Sequence, residues 1–285
     1  MSPLLHWVAE PPTLRRPVLV VCLEGFVDAG VVAATASAFL RHRWQSELVA
    51  RFDKDALIDY RARRPTAVVD NGELRRVEWP AIELFTAVTE GPRDVVFLLG
   101  SEPDMAWQGF FDAVGDACER LGVQWVLGLG AYPAAMPHTR PVRILQASNG
   151  VEGSAVPDLA TITGYTGPVG AGTALQAALG DRDIPAAGLW AEVPHYLAGS
   201  PNPTVALAMV RAVLDALETT VDTTELEGAA KLHREQVDEA VGEHPEAVGM
   251  VSALERQIDA GEDEGELPSG EDIADEIERF LRQQD

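Results

Sequence analysis

Lysine is almost missing from this chain. Lys54 and Lys231 are the only two in 285 residues, while arginine occurs twenty times. Chemistry that needs a phosphate-gripping or Schiff-base lysine in the main body therefore has Lys54 alone to draw on. Cysteine is equally scarce: Cys22 and Cys118 are too few for a disulfide scaffold or a cysteine-based metal site. Set in a strand and a helix of apolar character, both read as inert core thiols. No apolar run nears the roughly 18–20 residues that cross a bilayer. The opening MSPLLHWVAEPPTLRRP lacks a basic start followed by a long apolar stretch, so no secretion signal is expected. These absences predict a cytoplasmic protein.

Positive charge is in short supply overall, with 22 basic residues against 45 acidic ones and a net charge of −23. Nonspecific nucleic-acid binding needs clustered cations to displace counterions, and adhesion to anionic membranes needs them too, so neither partner is expected. Several catalytic signatures are also missing: no Gly-x-Gly-x-x-Gly after a buried strand, no Walker A lysine, no Gly-x-Ser-x-Gly elbow and no His-Glu-x-x-His. The sequence thus implies no cofactor and no metal.

What the chain does have is enough apolar material, 46%, to bury a sizeable core. Pro17-Val-Leu-Val-Val-Cys-Leu-Glu24 reads as a strand buried on both faces, as do Asp94-Val-Val-Phe-Leu-Leu99, Val123-Gln-Trp-Val-Leu127 and the run around Ile184 to Trp190. Helices are predicted over Val31 to Leu40, Met105 to Leu121 with Gly122 as its stop, Thr173 to Leu179, and Thr204 to about Glu218. Strand, helix, strand at this spacing implies a parallel core. Ala67-Val-Val69 and Leu74 to Trp79, joined by Asp70-Asn-Gly72, predict a hairpin, so the sheet is read as mixed. The expected fold is α/β, three layers around a mixed, mostly parallel sheet.

From about residue 220 the character changes. Residues 222–285 hold 20 acidic residues against 5 basic ones. Val248, Val251, Leu254 and Ile258, and then Ile273, Ile277, Phe280 and Leu281, recur at helical spacing, with Ser269 and Asp272 resembling a capping box. The division expected is a core over 1–220 and an acidic, amphipathic helical extension over 221–285, packed on its own body or on a partner.

Polar residues gather at the ends of the predicted strands, where open α/β sheets bind ligands. Glu24 and Asp28 follow the first strand, Glu102 and Asp104 follow another, and His138 and Arg140 lie in Ala135-Met-Pro-His-Thr-Arg-Pro141 after a third. If those strands are neighbours, six polar residues line one cleft, as metal ligands or acid–base groups with His138 carrying the proton. The alternative is structural: Asp28 and Asp104 capping the helices they precede, and His138 fixing its loop. Arg61, Arg63 and Arg64, in Asp59-Tyr-Arg-Ala-Arg-Arg-Pro65, form a local basic cluster suited to an anion site, a subunit contact or ion pairs with nearby acids. Gly164 to Gly172 could offer backbone N–H groups to a phosphate or simply turn the chain.

Taken in order, Leu23-Glu-Gly-Phe-Val-Asp-Ala-Gly30, Phe52-Asp53 with Asp59 to Pro65, Ser101-Glu-Pro-Asp104 with Trp107, and Pro137-His-Thr-Arg-Pro141 resemble the proteasome assembly chaperone 2 family in its actinobacterial branch. Gly164-Tyr-Thr-Gly-Pro-Val-Gly and Val193-Pro-His-Tyr196 extend the likeness to about residue 220. The resemblance implies a phosphorylase/hydrolase-like fold, similar to nucleoside phosphorylases and peptidyl-tRNA hydrolases. Eukaryotic relatives are chaperones that assemble proteasome α-subunits, acting as heterodimers through C-terminal tails. The ending Leu281-Arg-Gln-Gln-Asp285 lacks the hydrophobic–Tyr–x pattern of such tails. An ATP-grasp role, sometimes attached to the family, needs lysines that the body lacks apart from Lys54. Two functions follow. One is a non-enzymatic assembly or interaction protein, with proteasome subunits as candidate partners. The other is a small-molecule binder or enzyme using the strand-end cleft. A homo-oligomer is expected, a trimer being one candidate symmetry.

Overall fold

The computed structural model describes residues 2–260. The expected helix with Ile273, Ile277, Phe280 and Leu281, its capping box and the connector before it lie outside the described residues. Strands are β1 (Leu5–Trp7), β2 (Val18–Glu24), β3 (Glu47–Phe52), β4 (Thr66–Asp70), β5 (Glu73–Glu78), β6 (Ile82–Ala87), β7 (Val95–Ser101), β8 (Trp125–Ala134), β9 (Ile144–Ser148), β10 (Ala160–Thr161) and β11 (Ala186–Pro194). Helices are α1 (Val32–Arg43), α2 (Lys54–Leu57), α3 (Trp107–Leu121), α4 (Ala171–Gly180), α5 (Pro203–Leu217), α6 (Thr224–Gly242) and α7 (Pro245–Asp259).

Nine strands form one sheet in the order β1-β3-β6-β7-β2-β8-β11-β9-β10. Its centre, β7-β2-β8-β11, is parallel, while β1, β3 and β6 run antiparallel on one side and β9 antiparallel to β11 on the other. β2 is central because its side chains are apolar on both faces. Val18 and Val20 point to the layer of α1 and α5, and Leu19 and Val21 to the layer of α3 and α4. The fold is therefore α/β in three layers around a mixed sheet with a parallel core.

α3 buries Phe110, Phe111, Val114, Ala117, Cys118 and Leu121, spaced to form one stripe. It ends at Gly122, whose left-handed backbone lets its N–H reach the Cys118 and Glu119 carbonyls. α6 lies on α5 through Leu226 and Ala230, which join the core on that face. Among the described residues no helix is long and apolar enough to cross a membrane.

The predicted hairpin exists as β4 and β5, but it stands apart as a two-stranded ribbon. The antiparallel part of the main sheet comes instead from β1, β3, β6 and β9. Both thiols are buried, and burial pushes Cys22 and Cys118 up to about 12, as suits inert core cysteines.

Candidate functional site

The strand-end residues fall into two separate clusters. The first is built around Arg63, which enters from the segment before the ribbon. Its Nε donates to Asp104 Oδ1 at 3.0 Å, Nη1 to the Glu24 carbonyl at 3.2 Å, and Nη2 lies 3.5 Å from Glu102 Oε1. Glu102 Oε2 accepts the Ala171 N–H at 2.9 Å, at the first turn of α4, where the helix dipole favours a carboxylate. Asp104 Oδ2 accepts the Asp59 N–H at 2.9 Å. Asp104 therefore tethers the Asp59 turn and does not cap α3, which was the structural alternative read from the sequence; Ala106 stands at the N-cap of α3 with no side-chain cap. The Glu24 side chain, at the end of β2, is exposed.

Asp28 does cap a helix. Its two carboxylate oxygens accept the Ala33 and Ala34 N–H groups at 2.8 and 3.0 Å, satisfying donors that the start of α1 leaves open. Arg61 pairs with its neighbour Asp59 at 3.0 Å, which is held below the usual carboxylate range by those hydrogen bonds. Arg64 is exposed and makes no ion pair among the described residues.

The second cluster lies toward the α5–α6 layer. The 135–141 loop after β8 carries His138, whose ring is only 9% exposed. Its Nδ1 lies 2.7 Å from Tyr196 Oη, and its Nε2 lies 3.0 Å from Asp238 Oδ1 on α6. Tyr196 Oη also accepts the His138 backbone N–H at 2.9 Å. Burial, reinforced by the nearby Glu255 charge, raises the Tyr196 hydroxyl above its ordinary value, which suits a fixed hydrogen-bonding partner better than a nucleophile. Arg140 grips α7: Nε and Nη2 donate to the two oxygens of Asp259 at 3.1 and 2.7 Å, and Nη1 to Glu255 at 3.1 Å. The bidentate contact holds Asp259 below the usual carboxylate range. His138 and Arg140 thus latch the loop to the acidic helices.

The six strand-end residues accordingly do not share one cleft. Glu102, Asp104 and the backbone carbonyl of Glu24 meet at Arg63, Asp28 caps α1, and His138 and Arg140 line a small hollow of about 30 Å³ with His233 and Arg234. Among the described residues no three His, Cys, Asp or Glu side chains converge in a way that could hold a metal ion.

Sequence reasoning overlooked the apolar residues at the same strand ends. Phe26 (47% exposed), Val27, Met105, Tyr165 and Val169 are all exposed. They lie on the loop after β2, the loop after β7 and the segment leading into α4. These loops adjoin: Glu102 N–H donates to the Glu24 carbonyl, and a Cβ on Gly170 would sit 2.8 Å from the Phe26 Cβ. The available signal was a pair of large apolar residues, Phe26-Val27, inside a loop bounded by glycines.

The PAC2 family model matches residues 22–241. Among solved structures, the chain is 33% identical to the Mycobacterium tuberculosis protein Rv2714, of unknown function, covering 91% of this chain and 90% of that one with a TM-score of 0.81. It is 30% identical to a protein of unknown function from Corynebacterium glutamicum, covering 90% and 98%, with a TM-score of 0.84. Rv2125 of Mycobacterium tuberculosis, a proteasome-assembly chaperone homologue, is 34% identical over 82% of this chain and 99% of its own, with a TM-score of 0.75. No curated protein sequence matches. With the family model spanning most of the chain and these actinobacterial structures sharing its fold at such identity, the chain belongs to the PAC2 family.

Proposed function

We propose that this protein is an interaction protein of the assembly-chaperone kind, working in the cytoplasm as a homo-oligomer, with proteasome subunits as its partners. The observation that carries this reading is the exchange of roles at the strand ends. Polar residues there are spent on one another and on helix caps, while Phe26, Val27, Met105, Tyr165 and Val169 face solvent. Adjoining loops that expose large apolar side chains fit a protein partner. Rv2125, a proteasome-assembly chaperone homologue, supports the choice of partner.

The test uses purified proteasome α-subunits from an actinobacterium, mixed with this protein and run by size exclusion with light scattering. Co-elution is expected, and it is lost in Phe26→Asp/Met105→Asp with an unchanged circular-dichroism spectrum. Absence of co-elution at tens of micromolar, or co-elution indifferent to the substitutions, overturns the reading.

A further inference from the structure

A groove runs along the outer side of α5, with a volume of about 1470 Å³. Its floor is the stripe Thr204, Ala208, Ala212 and Ala216, which helical spacing sets in one line. Lys231 and Arg234 line it from α6, and Val156 and Leu159 from the segment before β10. The space exceeds the roughly 300–1,000 Å³ of small-molecule sites. It suits a helix of about twelve residues, which at about 10 Å across and about 18 Å long fills on the order of 1,400 Å³. Alanines along the floor let such a helix come close, since the distance between helix axes follows the side chains at the contact.

Charge narrows the choice of occupant. Arg16, Arg93, Arg211, Lys231 and Arg234 border the groove against Glu152, Asp158, Asp215 and Glu218, five cations to four carboxylates. The whole chain carries −23, so this is a locally basic surface on an acidic protein. Arg16 and Arg234 are exposed and make no ion pair among the described residues. Arg93 Nε is buried without a hydrogen-bond partner, with Glu218 Oε1 3.8 Å away. An acidic amphipathic helix matches both the apolar floor and these unspent donors.

The chain itself holds such a segment. Residues 261–285 carry ten acidic residues against two basic ones, and Ile273, Ile277, Phe280 and Leu281 fall at i, i+4, i+7 and i+8. The segment starts beside the groove. Asp259 is held by Arg140, which lines the small hollow, and that hollow shares Val142, Thr204 and Arg234 with the groove. The thirteen residues from Ala260 to Ile273 span up to about 40 Å when extended, while the floor from Thr204 to Ala216 is only about 18 Å long.

We propose that residues 271–282 dock as a helix in this groove of their own chain. Ile273, Ile277, Phe280 and Leu281 then sit on the α5 alanines, with Asp272 and Glu276 among the groove's arginines. The inference extends the expectation of an amphipathic extension packed on its own body, and needs neither self-association nor a proteasome partner. A tether of this length supplies an effective concentration on the order of millimolar, which favours the chain's own segment over that of another copy.

Hydrogen exchange on the full chain tests it. A lone helix of a dozen residues is marginal in water, so slow exchange over residues 273–282 reports docking. In the wild type those amides are expected to exchange at least about tenfold more slowly than in the free peptide 261–285, unchanged on dilution. Free-peptide rates are expected in Ile277→Asp/Phe280→Asp and in Ala208→Trp, which fills the groove. Arg16→Glu/Arg234→Glu, on two exposed side chains, is expected to lose most of the protection and decides the matter if Ala208→Trp fails to fold. Thermal midpoints verify folding, and unchanged exchange across α3 is the internal control. Free-peptide rates in the wild type overturn the proposal. So does protection that survives both groove variants, which places the segment on another surface, or protection lost on dilution, which places it on a second copy.

Discussion

Arg63 and Asp104, 41 residues apart, are joined at 3.0 Å between Nε and Oδ1, and through this bond Arg63 also reaches Glu102 and the Glu24 carbonyl. One guanidinium thus ties the ends of β2 and β7 to the segment that leads into the ribbon. All three side chains are largely shielded from solvent, so the pairing is screened less than a surface ion pair.

Arg63→Met is expected to leave two carboxylates facing each other without their cation, at a cost of about 1–3 kcal/mol. For a chain of this size that is a melting-point fall of about 2–4 °C per kcal/mol. Arg63→Lys is expected to recover only part of it, because an ammonium cannot span three acceptors with a planar fork. Thermal denaturation of the three proteins checks this, and equal midpoints would refute it.

Gly100, in β7 opposite Ile82 of β6, has a φ of +127°, and a Cβ there would overlap the Ala81 carbonyl oxygen. That oxygen accepts the Ser101 N–H. Gly100→Ala is expected to cost about 3 kcal/mol or more, through both backbone strain and a displaced strand. Gly72, at the ribbon turn with a φ of +80° and open space around it, provides the control. Gly72→Ala is expected to cost only about 1–2 kcal/mol, that of the left-handed backbone alone. Urea midpoints for both variants separate the two effects.

Asp94 is 1% exposed. Burial pushes its carboxyl up, but hydrogen bonds from the Arg15 side chain and N–H and from the Thr89 N–H, with the Arg15 charge, more than offset it and hold it below the usual range. As pH falls, the unfolded chain therefore takes up this proton first. The stability Asp94 contributes is full at neutral pH and is lost as pH drops below about 4. Asp94→Asn is expected to be less stable than the wild type at pH 7, with the gap narrowing toward pH 3. A gap independent of pH would contradict the assignment.

Arg140 holds the C-terminal turn of α7 through Asp259 and Glu255. Arg140→Ala is expected to raise amide hydrogen exchange across residues 245–259 while leaving α3 unchanged, since α7 otherwise buries only Val251. Raising salt should move the wild type in the same direction. Uniform protection in both proteins would show that the contact carries no load.

The parts of the fold legible in the sequence are those where one physical signal dominates. β2 is an apolar run because both its faces are covered, and α3 ends where Gly122 permits a left-handed turn. β3 and β6 stayed hidden because they mix apolar with charged residues, including the cross-strand pair Arg51–Glu83 at 2.8 Å. The strand-end rule brought Glu24, Glu102 and Asp104 to one place, since β2 and β7 are neighbours. It could not show that Arg63 would fill the space between them. Nor could it pair His138 with Asp238, 100 residues on, or Arg140 with Asp259, 119 residues on. Such partners are fixed by how α6 and α7 fold back, which local periodicity does not encode.

β11 lies between β8 and β9, although β9 comes before it in the chain. During synthesis β8 therefore leaves the ribosome with one edge bare, and the strand that covers it, Ala186–Pro194, begins only about fifty residues after β8 ends. At ordinary elongation rates that is a delay of several seconds. Through that interval the half-made chain exposes a hydrogen-bonding edge ten residues long. A protein proposed to assist the assembly of others thus passes, while being made, through a state whose own open strand edge invites mispairing.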